Sequence, residues 1–150
     1  MPWTNYQLRR LQHEKEILAK YFPGRVKWST INGSTKVQVL MTSNSNRNYT
    51  LRILLTNDFP HDCPKLLVES PSFLIQHNGM PLPHNSQEFH TLADPSGLVS
   101  ICHFVPNIWT NENTLYQVFM KGRLWIEGYE GHLATGRNMD FYLRHQNNPF

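Results

Sequence analysis

The sequence predicts an α+β domain made of an N-terminal helix, a four-stranded antiparallel meander, a long irregular loop and a C-terminal helix. Three observations predict it. Apolar residues recur at helical spacing near the N-terminus, then alternate with polar ones through four successive runs. Helical spacing returns only after Trp109. In between, prolines and glycines interrupt every period. With 150 residues, 39% hydrophobic and 17% charged, the chain fits one globular domain, 1–150, around one core.

Thr4-Asn5-Tyr6-Gln7 reads as a capping box, in which the Thr4 hydroxyl and the Gln7 amide cover the first free N–H groups of a helix. Leu8, Leu11, Lys15, Leu18 and Phe22 follow at helical spacing with Ile17 beside them, and Arg9, Arg10, Glu14, Glu16 and Lys20 are expected on the solvated face. Pro23-Gly24 ends the helix. Val26, Trp28 and Thr30 alternate with Lys27 and Ser29, and Asn32-Gly33-Ser34 signals a hairpin. Alternation resumes over residues 36–41. After a polar turn, Tyr49, Leu51, Ile53 and Leu55 mark a third strand, and residues 65–69 a fourth. Four strands joined by short turns pair as an antiparallel meander.

Over residues 70–101 the pattern is lost, with Pro71, Pro81, Pro83, Pro95, Gly79 and Gly97 in the way. An irregular segment of that length inside a small domain usually carries function. Leu115, Val118, Phe119, Gly122 and Trp125 then form a helical stripe, which Thr110 or Asn111 is expected to cap and Gly128 to stop. A weak helix is expected near Met139 to His145. The expected core comprises Leu8, Leu11, Leu18, Trp28, Val39, Leu51, Ile53, Leu67, Leu115, Val118 and Phe119. Trp109 and Trp125 read as core as well, because aromatic side chains bury the largest area.

Composition narrows the function. The net charge of +3 comes from scattered Lys and Arg with no basic run, which argues against a nucleic-acid partner. The apolar stretches fall well short of the ~20 residues that span a membrane. The N-terminus lacks the basic and apolar segments of a secretion signal, so the expected location is cytoplasmic, away from membranes. Two cysteines, Cys63 and Cys102, without a CxxC pair, argue against a disulfide scaffold and a four-thiolate zinc site. The eight histidines form neither HExxH nor zinc-finger spacing. No metal or other cofactor is expected.

Three signatures occur in order. Asn57-Asp58-Phe59-Pro60-His61-Asp62-Cys63-Pro64-Lys65 is a turn whose two prolines keep it out of the strand ladder. Residues 90–102 run from His90-Thr91-Leu92 through Gly97 to Ile101-Cys102, and Trp109-Thr110-Asn111 precedes the second helix. This ordered set, over roughly residues 4–130, resembles the ubiquitin-conjugating enzyme family. That family has a Tyr/Phe-Pro-x-x-x-Pro turn, then a His-Pro-Asn segment leading to Ile-Cys, then Trp-Ser/Thr-Pro. The chain departs from the pattern with Thr91-Leu92 for Pro-Asn, a longer run before the cysteine, His103 after it, Asn111 for Pro, and a short C-terminal part. The departures point to a divergent bacterial branch, found in antiphage operons beside synthases of cyclic oligonucleotides.

The resemblance implies a UBC-like fold and an acyl group carried as a thioester on Cys102. The acyl group would be a protein C-terminus, that of a cGAS-like (DncV-like) nucleotidyltransferase. A separate activating enzyme would bind any ATP used, since 150 residues leave no room for an adenylating domain. Taken alone, Cys102 is open to two readings. A loop thiol between a Pro/Gly-rich segment and a helix suits an acyl carrier, while a cysteine after Ile101 also suits a small buried hydrophobe. Cys63, beside Pro64, reads as structural and is expected to be mostly buried, with Cys102 accessible. In the family the Asn supports the oxyanion formed on aminolysis, and Leu92 has no donor for that. His90, His103, Asn107 and Asn111 are the nearby candidates. His103 could exchange a proton near neutral pH, or point away from Cys102, as adjacent extended side chains tend to. Glu130 and His132 fall near the family's acidic gate residue.

Three functions compete: a thioester-forming transferase, a catalytically inactive module that binds a ubiquitin-like tail or peptide, and a cysteine hydrolase. The cysteine favours the first, loss of the Asn the second, and no protease signature supports the third.

Overall fold

Thr4 and Gln7 close the expected capping box, with the Gln7 N–H donating to Thr4 Oγ1 at 3.2 Å and the Thr4 N–H to Gln7 Oε1 at 2.9 Å. Helix α1 (Asn5–Tyr21) follows. The structure is a computed structural model that describes residues 3–103 and 108–143. After α1 come β1 (Val26–Ile31), β2 (Ser34–Thr42), β3 (Asn48–Leu54), β4 (Leu66–Ser70), β5 (Thr91–Leu92), β6 (Val99–Ile101), α2 (Leu115–Thr135) and α3 (Asp140–Leu143). His145, in the expected last helix, lies outside the described residues.

The domain is α+β and its strand pairs are antiparallel, but among the described residues the sheet has six strands in the order β1-β2-β3-β4-β6-β5, not four. The four expected strands are sequential neighbours. The two additional ones come from the segment that shows no periodicity, because strands of two and three residues are too short to display it. They are held by pairing with β4 and with each other.

Alternation along β2 and β3 puts Val37, Val39, Met41, Leu51 and Ile53 on one buried face. Val118, Phe119, Trp125 and Ile126 of α2 belong to the same core. Full burial of one such aliphatic side chain contributes about 1.5–3 kcal/mol. Two glycines set how closely α2 packs. A Cβ on Gly122 would stand 2.6 Å from Leu51 Cδ1 and 2.8 Å from Leu66 Cδ2. A Cβ on Gly128 would stand 3.0 Å from the Leu143 side chain. Gly128 therefore does not stop the helix, as expected from sequence, but lets α3 approach it. The propensity cost of about 1 kcal/mol is borne by that packing. Gly136, in the left-handed region at φ 75°, is the actual C-cap.

The start of α2 also differs from expectation. Its N-cap is Thr114, in a second capping box with Gln117, while Thr110 and Asn111 belong to the preceding turn. Glu14, expected in solvent, is 1% exposed and accepts the Leu115 N–H at 2.6 Å. Arg10 pairs with Glu14 at 3.7 Å and donates to the carbonyls of Asn111 and Asn113. α1 thus holds α2 by its first N–H, that of Leu115, at a helix end where a carboxylate is favoured. Burial pushes the Glu14 carboxyl up, against that bond and the Arg10 charge. Leu8 was expected in the core but is 51% exposed, at the rim of the sheet beside Gly33 and Thr35. Leu11 and Trp28 are only partly buried. The other expected core residues are buried, as are Trp109 and Trp125.

Candidate active site around Cys102

The proline turn is fixed from two sides. Gln7 Nε2 donates to the carbonyls of Asn57 and Phe59 at 2.7 and 2.8 Å, and Trp109 Nε1 donates to the Pro60 carbonyl at 3.1 Å. Cys63 ends this turn, just before β4.

Cys102 follows β6. That strand is paired on one side with β4, Leu66 opposite Ile101, and on the other with β5, Thr91 opposite Ile101. One further bond extends the ladder, from the Cys102 N–H to the His90 carbonyl at 2.9 Å. His90 adopts φ 54°, a left-handed conformation uncommon outside glycine. Its ring is buried, with Nε2 2.9 Å from Asp140 Oδ1. The preceding carbonyl, of Phe89, accepts Trp125 Nε1–H at 2.9 Å. The backbone under the thiol is therefore tied to the sheet and, through the adjoining residue, to α2.

Both cysteines are free and half-buried, so burial does not separate them as the sequence suggested, with Cys102 accessible and Cys63 buried. Their electrostatics differ. Burial pushes the Cys63 thiol up to about 11, and the Asp62 carboxylate and a Cys102 thiolate act in the same direction. Burial also pushes the Cys102 thiol up, but the Lys121 ammonium opposes it.

His103 is 4% exposed. Its Nδ1 lies 3.0 Å from the Ile101 carbonyl and its Nε2 3.8 Å from Cys63 Sγ. Burial lowers its pKa and favours the neutral ring. The imidazole next to Cys102 in sequence is turned toward the other thiol. Among the described residues no histidine is hydrogen-bonded to Cys102 Sγ.

The remaining candidates are dispersed. Asn111 is half-buried in the turn before α2, its carbonyl taken by Arg10. His132 is buried near the end of α2, accepting the His77 N–H through Nε2 at 3.1 Å, with Nδ1 2.7 Å from the Arg137 carbonyl. Glu130 accepts from Ser45 Oγ and, at 2.7 Å, from Tyr49 OH, whose pKa rises through burial and this carboxylate. None of these bonds reaches Cys102. Leu92 is 48% exposed on β5. Asn107 lies outside the described residues.

The residue that sequence reasoning missed is Lys121. It is 1% exposed, and its charge acts on both Cys102 and His103. A signal was present: Lys121 stands three residues after Val118 and four before Trp125, on the apolar stripe of α2. Among the described residues no cluster of His, Cys, Asp and Glu could hold a metal ion, and no helix is long and apolar enough to cross a membrane. Comparison of the chain with family models, curated proteins and solved structures gave no match.

Proposed function

We propose that this chain is a ubiquitin-conjugating-like transferase with a variant UBC-like fold, carrying a protein C-terminal acyl group as a thioester on Cys102 and passing it to an amine. The observation that carries this reading is the setting of Cys102. It is a half-exposed thiol on a backbone pinned by β4, β5 and the His90 carbonyl, with no histidine bonded to its sulfur among the described residues. A hydrolase needs a base beside its nucleophile to activate water or thiol. An acyl carrier needs a fixed, reachable sulfur that forms a bond to the acyl carbon as the donor's leaving group departs. The incoming amine then attacks that carbon, loses a proton, and the sulfur leaves as thiolate. The motif order from the proline turn through Ile101-Cys102 to Trp109 supports the same reading, and with it a cGAS-like nucleotidyltransferase of bacterial antiphage defence as the protein whose C-terminus is carried.

The test is the intact mass of the protein purified with its neighbouring gene products. The wild type is expected to carry an adduct that thiols and hydroxylamine remove. Cys102→Ser should accumulate an oxygen ester that survives thiols, and Cys102→Ala should carry nothing while remaining folded. The second reading, an inactive binding module, is favoured by the donor-less Leu92 at the family's Asn position. Association with a partner tail, but no covalent adduct on wild type or Cys102→Ser, would establish it in place of the first.

A further inference from the structure

His90 stands in the left-handed region, at φ 54°, which a residue with a Cβ keeps only where its surroundings hold it there. Three bonds do so. Its N–H donates to the Gln87 carbonyl at 3.3 Å, and its carbonyl accepts the Cys102 N–H at 2.9 Å. Its ring is buried, with Nε2 2.9 Å from Asp140 Oδ1. A carboxylate accepts, so the ring N–H is the donor. The first two are backbone bonds that most residues could make. The third depends on this side chain, and it joins the segment that carries Cys102 to α3.

α3 is itself seated on α2. Met139 is fully buried, and Leu143 packs against Gly128. The Tyr142 ring lies so close over Gly131 that a Cβ there would meet it at 2.7 Å. Its hydroxyl donates to the Gly131 carbonyl at 3.3 Å. His132 Nδ1, 2.7 Å from the Arg137 carbonyl, ties down the turn between the two helices. Asp140 opens α3 with its N–H held by Asn138 Oδ1 at 2.8 Å. Its carboxylate therefore meets His90 from a fixed helix end. The Asp140 side chain is 62% exposed, so the core does not require it.

We propose that Asp140 is a positioning residue for Cys102, acting through the His90 ring to hold the carbonyl that fixes the Cys102 N–H. The direction of a carbonyl is set by the dihedral angles of its own residue. Once the ring is released, His90 is free to leave the left-handed region, and the peptide plane that bears its carbonyl turns with it. The Cys102 N–H then loses its partner. β6 stays paired with β4 through Val99, Ser100 and Ile101, so the loss is confined to the residue that bears the sulfur. In thioester chemistry the sulfur takes the acyl carbon as the donor's leaving group departs, and later gives it up to the amine. The same atom must stand in the same place twice, and a misplacement of about 1 Å costs on the order of a hundredfold in rate. The part in loading and transfer rests on the thioester reading; the hold on the Cys102 N–H does not.

The test is hydrogen exchange of the Cys102 amide, read by NMR on the full chain. In Asp140→Ala it is expected to quicken about tenfold while the β4 amides stay as they were. Asp140→Asn, which keeps an acceptor oxygen, should recover part of the protection. His90→Asn tolerates the left-handed region but lacks the ring, so it should match Asp140→Ala, and the double variant should exchange no faster than either single one. An unchanged Cys102 amide in Asp140→Ala, an equal rise across β4, or additive effects in the double variant overturns the proposal. Should His90→Asn fail to fold, the two Asp140 variants decide, since an exposed carboxylate can be replaced without opening the core. The second readout is the single-turnover rate of adduct formation when the neighbouring gene products, the nucleotidyltransferase among them, are added. Asp140→Ala should load more slowly at an unchanged half-saturating concentration, with Asp140→Asn between it and the unsubstituted chain. Loading at the unsubstituted rate overturns the proposal and leaves the thioester reading standing. A chain that never carries an adduct, substituted or not, ends that reading, and the Cys102 amide then decides the proposal alone.

Discussion

Cys63 and Cys102 occupy two ends of adjacent strands, one entering β4 and the other leaving β6. Both are half-buried and free, and burial raises both thiols. What differs is the charge each one meets. Cys63 has the Asp62 carboxylate beside it in the chain and the neutral His103 ring at 3.8 Å. Cys102 has the Lys121 ammonium, which only the folded chain brings to it. Exposure alone would rank the thiols as equals, whereas the charges that act on them differ in sign.

The largest test of that contrast is competitive alkylation. In the wild type near pH 8, Cys102 is expected to react faster than Cys63, because the Lys121 ammonium opposes the effect of burial on Cys102 while the Asp62 carboxylate adds to it on Cys63. Peptide mapping after brief iodoacetamide treatment reads it directly. Labelling of Cys63 first would reverse the assignment of the nucleophile.

Removing the shared neighbour should affect the two thiols differently. His103→Ala deletes a buried ring and its contacts with Ile101 and Cys63, so a loss of about 1–3 kcal/mol is expected in urea unfolding. The loss should shrink below about pH 6.5. The folded pKa of His103 is lowered, so the neutral ring's contribution is present above the unfolded value and is lost as pH falls through the folded one. Alkylation of Cys63 should quicken in this variant while that of Cys102 changes little. Quickening of Cys102 instead would mean that the ring guards the other sulfur.

The smallest expected effect is alkaline. The Cys63 thiol titrates near 11 in the folded protein, above the ordinary value of 9.0. Between those limits the folded state holds the proton more tightly, so stability contributed by the buried neutral thiol falls as pH rises from about 9 to 11. Cys63→Ala should flatten that part of the stability profile, followed by urea midpoints. An equally steep fall would assign it to other groups.

Much of the fold was legible in sequence, and the reason differs by element. β2 and β3 are long enough to show a period of two, and α1 carries its capping box within four consecutive residues. The same signature at Thr114 and Gln117 could have placed the start of α2 and was passed over for Thr110 or Asn111. β5 and β6 could not be read, since two and three residues show no period and their pairing depends on β4. Gly128 looks like a stop signal because propensity is local, while the Leu143 side chain that packs against it comes from α3.

The chain by itself determined the residue types available for chemistry: two thiols without a pairing motif, a proline turn ahead of one, and an Ile-Cys ahead of a second helix. It also determined the stripes that bury α1 and α2, because helical periodicity is a property of neighbours along the chain. Only the tertiary structure decided what surrounds each thiol. It turned His103, adjacent to Cys102, toward Cys63, and it brought Lys121, nineteen positions on, to bear on Cys102. The physical reason is that electrostatic influence depends on distance through space and on burial, and packing α2 against the sheet sets both.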